Sequence, residues 1–157
     1  MGPYEKKFRA IVGASEGYIA LGMHQEAWDE LETLEPEARA HPDALALRLE
    51  IFVALKRYES AAILAEGMIA NGDDTPGTWL HGAWAIRRHR TLEDARAFLL
   101  RGEAHLENVA LFQYNLACYE CQLGNMLGAK VRLTRAFELD PALRATALDD
   151  EDLWPIW

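Results

Sequence analysis

Cysteine is scarce in this chain, with two among 157 residues, so neither a disulfide framework nor a four-cysteine zinc cage can hold it together. Basic residues are outnumbered, 16 against 25 acidic, and the formal charge of −9 argues against a nucleic-acid phosphate backbone as the main partner. No apolar run approaches the roughly 20 residues that a membrane-crossing helix needs. The opening Met1-Gly2-Pro3-Tyr4-Glu5-Lys6-Lys7 lacks the apolar core of a secretion signal, and Pro3 and Lys6 do not suit myristoylation at Gly2. These absences predict a soluble, cytoplasmic protein with neither nucleic acid nor membrane as its partner.

Catalytic signatures are missing as well. His24, His41, His81, His89 and His105 are scattered over different segments, and no Ser-His-Asp set, paired catalytic carboxylates or Gly-rich phosphate loop stands out. Cys118 and Cys121 form a C-x-x-C, but a structural zinc needs further ligands and a thioredoxin-type motif belongs after a strand. Two free thiols in a reducing compartment are expected, without metal or cofactor. No segment alternates with the period of a strand, and no long low-complexity linker interrupts the chain.

What the chain does have is apolar mass and a rhythm. Half of its residues are hydrophobic, enough at this length to bury a substantial core. Ala27, Ala61, Ala95 and Ala129 stand 34 residues apart, and Gly22, Lys56, Arg90 and Gly124 each precede one of them by five positions. A period of that size points to stacked helical hairpins. The small residue has a steric reason: where two antiparallel helices cross closely a methyl group fits, and a branched side chain would force them apart. Pro42 and Pro76 suit the first turn of a helix, where the amide proton that proline lacks has no partner. Helices are predicted over residues 5–21, 24–35, 42–55, 58–71, 76–89, 92–105, 108–123 and 126–139.

The residues around the fourth alanine carry a resemblance. Tyr114-Asn115-Leu116-Ala117 leads to Gln122-Leu123-Gly124-Asn125, then Ala129, and the stretch closes with Ala136-Phe137-Glu138-Leu139-Asp140-Pro141. In this wording the chain resembles the tetratricopeptide repeat (TPR) family. Tyr18 to Ala27, Leu45 through Phe52 to Ala61, and Trp79 through Ala83 to Ala95 follow in the same register. Against the family pattern, Pro36 comes early, Arg48 and Glu120 take apolar positions and Gly102 replaces an alanine. The resemblance implies an all-α fold, a right-handed α-solenoid of four TPR helix-turn-helix hairpins. Its copies fall near 8–41, 42–75, 76–109 and 110–141 in a single domain over 1–141, with a capping segment or tail over 142–157.

The resemblance also implies that the first helix of each copy lines a concave groove. In the second copy Leu45, Leu49 and Phe52 form an i, i+4, i+7 stripe for the paired helix, and one residue further round runs a second stripe, Ala46, Glu50 and Val53. Its counterparts are Val12, Glu16 and Ile19, then Leu80, Trp84 and Arg87, then Tyr114, Cys118 and Cys121. Arg88, Asn115 and Gln122 complete the candidate partner-binding groove. Leu80, Trp84 and Tyr114 would anchor a partner; Glu16, Glu50, Arg87 and Asn115 would orient it. Helix phase alone does not separate such a wall from a seam between copies, or a charged lining from a solvated face. Some family members clamp a terminal carboxylate with Lys, Asn and Arg. Here Val12, Glu16, Ala46, Glu50 and Leu80 line those places and Asn115 is the single match, so a peptide or helix held by apolar side chains fits better. The predicted function is a non-catalytic protein-interaction scaffold. The alternatives are a self-assembling homo-oligomer and a small chaperone for a protein client.

The last stretch adds an expectation of its own. An acidic run, Asp149-Asp150-Glu151-Asp152, leads into Leu153-Trp154-Pro155-Ile156-Trp157. A short helix near 142–149 followed by an extended tail, with the two tryptophans covering the exposed end of the stack, is predicted. The alternative is docking of the tail into a neighbouring copy.

Overall fold

The computed structural model describes residues 1–157 and contains helices and turns but no strand. Four pairs of helices follow one another: α1 (Pro3–Ala20) with α2 (His24–Glu32), α3 (Pro42–Ala54) with α4 (Tyr58–Ala70), α5 (Pro76–His89) with α6 (Leu92–Arg101), and α8 (Ala110–Gln122) with α9 (Met126–Leu139). A single turn, α7 (Glu103–Leu106), lies between the third and fourth pairs. After the fourth come α10 (Leu143–Asp149) and a 3-10 helix over Glu151–Ile156. Pro3, Pro42 and Pro76 open α1, α3 and α5 at the position where a missing N–H costs nothing. No helix is long and apolar enough to cross a membrane.

The turns inside the pairs explain the residues found five places before each repeated alanine. After α1 the N–H of Gly22 donates to the Ile19 carbonyl and that of Met23 to Tyr18, a closure that needs a left-handed residue. Gly22 supplies it with φ 74°. Gly124 does the same after α8 with φ 84°, and Lys56 after α3 with φ 59°. Arg90 is the exception: its φ is −119°, and its guanidinium instead reaches the Glu66 carboxylate at 2.8 and 3.2 Å.

Two helices are shorter than expected. The helix anticipated over 24–35 stops at Glu32, because Pro36 disfavours helical backbone before it and Arg39 takes over the free carbonyls of Glu32 and Leu34. The helix anticipated over 92–105 breaks at Gly102 into α6 and α7. A Cβ at Gly102 would stand 2.8 Å from the Trp79 ring, so the indole occupies the space that an alanine would need.

Packing follows the rhythm of the sequence. Ala27, Ala61, Ala95 and Ala129 are all fully buried. Helices touch their neighbours in sequence, and the first helices of successive pairs also touch: α1 with α3, α3 with α5, α5 with α8. Packing is tight at Gly82 in α5, where a Cβ would meet Ala65 of α4 at 2.7 Å and Phe98 of α6 at 2.9 Å. Two apolar clusters result, one around Phe8, Ala27, Leu31 and Ile51, the other running from Leu49 to Leu153, and α3 contributes to both. Polar residues at apolar positions are answered by partners. Arg48 pairs with Glu32 at 2.7 Å over the Trp28 ring, and buried Glu120 accepts hydrogen bonds from Arg96 and, at 2.8 Å, from Asn125.

Candidate functional site

The expected groove residues separate into two groups. On α1 and α3, Val12 lies inside the core with 5% of its surface exposed, so it forms no part of an open wall. Ile19 and Val53 are half-buried against the apolar clusters, Glu50 is half-buried and Glu16 is exposed. On α5 and α8 the helical period gathers the rest. Leu80, Trp84 and Arg87 follow one face of α5, and Tyr114, Cys118 and Gln122 one face of α8. Asn115 is half-buried beside them and Arg88 is exposed, its guanidinium 4.6 Å from the centre of the Trp84 ring.

The α5–α8 wall is occupied by the chain itself. The Tyr114 hydroxyl donates to Asp150 Oδ2 at 2.7 Å, and the Cys118 thiol lies 3.7 Å from the same oxygen. Arg87 grips both oxygens of Asp152, Nη1 to Oδ2 at 2.5 Å and Nη2 to Oδ1 at 2.7 Å. Gln122 Nε2 donates to the Asp152 carbonyl at 2.8 Å, and Leu153 is fully buried in the larger cluster. Asp150 Oδ1 in turn accepts from the Asp152 N–H and starts the 3-10 helix, so the segment is turned rather than extended as expected. The tryptophans do not supply the cover: Trp154 and Trp157 are 57% and 58% exposed, while Leu153 and Ile156 pack against the cluster.

The electrostatics are those of a closed contact. The bidentate hydrogen bond to Asp152 raises the affinity of Arg87 for its proton, and its guanidinium lies 5.6 Å from the centre of the Tyr119 ring. Burial, followed by the hydrogen bond and charge of Asp150, pushes the Tyr114 hydroxyl upward. Burial and then the carboxylates of Asp150 and Asp152 push the Cys118 thiol upward too, and burial moves Tyr119 up to about 12. Cys118, Asp150 and Asp152 could bring three ligand atoms within 4.8 Å of one another. A divalent ion would have to displace Arg87 from Asp152 and remove a proton that the thiol holds tightly, so the donor set does not suit one. Both cysteines are free, and Cys121 turns its sulfur towards Met126 at 4.0 Å.

No family model matches the chain, and a search of curated proteins gives no significant match. A concavity of about 770 Å³ lies between α3 and α4, with Leu45, Ile63, Leu64 and Met68 and the acidic Asp43, Asp73 and Asp74 among its lining. Burial works against ionisation of Asp73, but hydrogen bonds from the Thr75 N–H and from the hydroxyls of Thr75 and Thr78 outweigh it and hold the carboxyl below its ordinary value. Ala46, which helical spacing put on the groove-facing stripe, lines this recess, whereas the contribution of the loop over 71–75 has no period and left no sign in the sequence.

Helical spacing did bring Arg87, Tyr114, Cys118 and Gln122 to one surface. It missed Asp150, Asp152 and Leu153 as the groups seated there. The available signal was the acidic run ending in leucine, which the neighbouring tryptophans overshadow in a reading based on hydrophobicity.

Proposed function

We propose that this chain is a TPR-like right-handed solenoid of four hairpins that binds a peptide or helix of a protein partner on the face formed by α5 and α8, without catalysis of its own. The observation that carries the reading is that this wall already seats a polypeptide segment, through Arg87, Tyr114 and Gln122 and through a leucine pocket. Side-chain forks and main-chain hydrogen bonds of this kind are how extended segments are held in peptide grooves. Trp84, with two guanidiniums near its ring, adds an aromatic anchor beside the seat. A cytoplasmic setting goes with this reading, since both thiols are free.

Affinity capture with the intact chain tests the proposal. A specific partner held by the wild type is expected to be lost with Trp84→Ala and with Tyr114→Ala, provided circular dichroism shows each variant folded. Retention of every partner by both folded variants would remove the wall from consideration. Self-assembly is the second reading, favoured by the half-exposed Trp154 and Trp157. Sedimentation across a concentration range separates it, since a monomer at all concentrations leaves no role for those rings in an oligomer.

A further inference from the structure

The contacts of residues 150–157 divide recognition from burial. Every polar contact that the α5–α8 wall makes with the segment falls on two aspartates two positions apart: Asp150 takes the Tyr114 hydroxyl, and Asp152 takes the Arg87 fork. Gln122 reads the main chain at Asp152 and so fixes register without regard to side chain. Leu153, the next residue, is fully buried. Glu151 between the aspartates and Trp154, Pro155 and Trp157 after the leucine are exposed. A permanent cap would bury its largest rings and leave its charges in water. This segment buries Leu153, but it gives Asp150 and Asp152 to the wall and leaves the Trp154 and Trp157 rings more than half exposed.

We propose that the α5–α8 wall selects partner segments presenting two carboxylates two residues apart with a leucine-sized side chain next, and that residues 150–157 hold this seat as an internal competitor. The inference rests on reading the wall as a binding surface and names the chemistry of what binds there. Charge supports the choice. In a chain of net charge −9, an acidic segment settles where a cation stands, and Arg87 meets a planar carboxylate with both of its terminal nitrogens. Tethering explains how a few contacts keep the seat filled. A segment attached through α10 competes at a local concentration in the millimolar range, so an external segment must match its contacts and exceed them elsewhere, for instance at Trp84.

A labelled, amidated peptide copying residues 148–157 tests this against the full-length chain by fluorescence polarisation. Weak, saturable binding to the wild type is expected at millimolar peptide. Binding at least about tenfold tighter is expected to the full-length Asp150→Asn/Asp152→Asn variant, whose own segment competes less strongly without its charges. A peptide carrying the same two asparagines is expected to bind neither protein, and adding Arg87→Ala to the double variant is expected to abolish binding. Equal binding of the aspartate and asparagine peptides would overturn the proposal. So would failure of the aspartate peptide to bind a double variant whose melting curve shows it folded, since the segment would then be a cap alone. Should the double variant not fold, the wild type decides: no saturable difference between the two peptides overturns the proposal. A wild-type dimer in sedimentation, joined by exchanged segments, would assign the seat to a second copy and overturn it as well. A partner captured through Trp84 while the peptide fails would leave the interaction function standing and remove only the acidic motif.

Discussion

Lys56 adopts a left-handed backbone with φ 59°, doing at the end of α3 what Gly22 and Gly124 do at 74° and 84° after α1 and α8. A Cβ in that region costs about 1–2 kcal/mol. The greater freedom of glycine in the unfolded chain returns part of any gain, about 0.5–1 kcal/mol. Lys56→Gly is therefore expected to stabilise the protein by about 0.5–1 kcal/mol, seen as a higher urea midpoint at unchanged slope. A lower midpoint would mean that the lysine side chain contributes more than its backbone costs. The turn at this position was legible in the amino-acid sequence, since Lys56 falls where two glycines fall in the period. The close packing at Gly82 was not. That Ala65 leaves no room for a Cβ at Gly82, which would stand 2.7 Å from it, is a fact about a neighbouring helix, and the spacing of apolar residues within α5 does not report it. Gly82→Ala is expected to cost about 1–3 kcal/mol through forced separation of α4, α5 and α6, although alanine is the better helix former. A gain in stability would show that the pairs adjust freely.

At the scale of elements, the repeated alanine set most helix limits within a few residues, because turn residues and buried methyl groups recur in register. The break at Gly102 escaped because it depends on the Trp79 ring from another helix, whereas the early stop at Glu32 had a visible sign in Pro36 and is completed by Arg39, whose hold on the free carbonyls has no period. Arg48 and Glu120 read as misfits in sequence and act in the structure as ties between helix pairs. Glu120 on α8 has a side chain 6% exposed and is held from α6 by Arg96, itself 39% exposed. Removing Arg96 leaves a buried carboxylate with Asn125 alone, and partial exposure of the arginine reduces the penalty below that of a fully buried pair. Arg96→Ala is expected to cost about 1–3 kcal/mol in chemical denaturation. Arg135→Ala, which removes the exposed pair with Glu138 and an exposed hydrogen bond to Asn108, is expected to cost less than about 1 kcal/mol. Equal losses would mean that the buried carboxylate finds another partner or water.

For the whole molecule, the question is how readily residues 150–157 leave the α5–α8 wall, and Cys118 reports on it. Its thiol is 5% exposed and lies behind Asp150, with its ionisation raised above the ordinary 9.0 by burial and by the two carboxylates. Alkylation therefore requires the segment to open, after which the thiol is both accessible and easier to ionise. In a Cys121→Ser background, Cys118 of the otherwise native chain is expected to react slowly with iodoacetamide at about pH 8. Asp150→Asn/Asp152→Asn takes the charge out of the Tyr114 and Arg87 contacts and breaks the Arg87 fork; charged hydrogen bonds contribute about 1.5–3 kcal/mol against about 0.5–1.5 kcal/mol for neutral ones, and over the two sites the difference is enough for at least about a tenfold faster reaction. The pH profile should move with it, the variant's half-maximal rate shifting down towards 9.0. Stability carries the same sign. The raised Tyr114 and Cys118 groups favour the folded state fully below their ordinary values, 10.0 and 9.0, and this contribution is lost as pH rises beyond them. The native chain is thus expected to lose stability on the alkaline side more steeply than the double variant. Unchanged alkylation in the double variant would mean that Leu153 alone keeps the segment closed, and the two aspartates would then add specificity to the seat without adding strength.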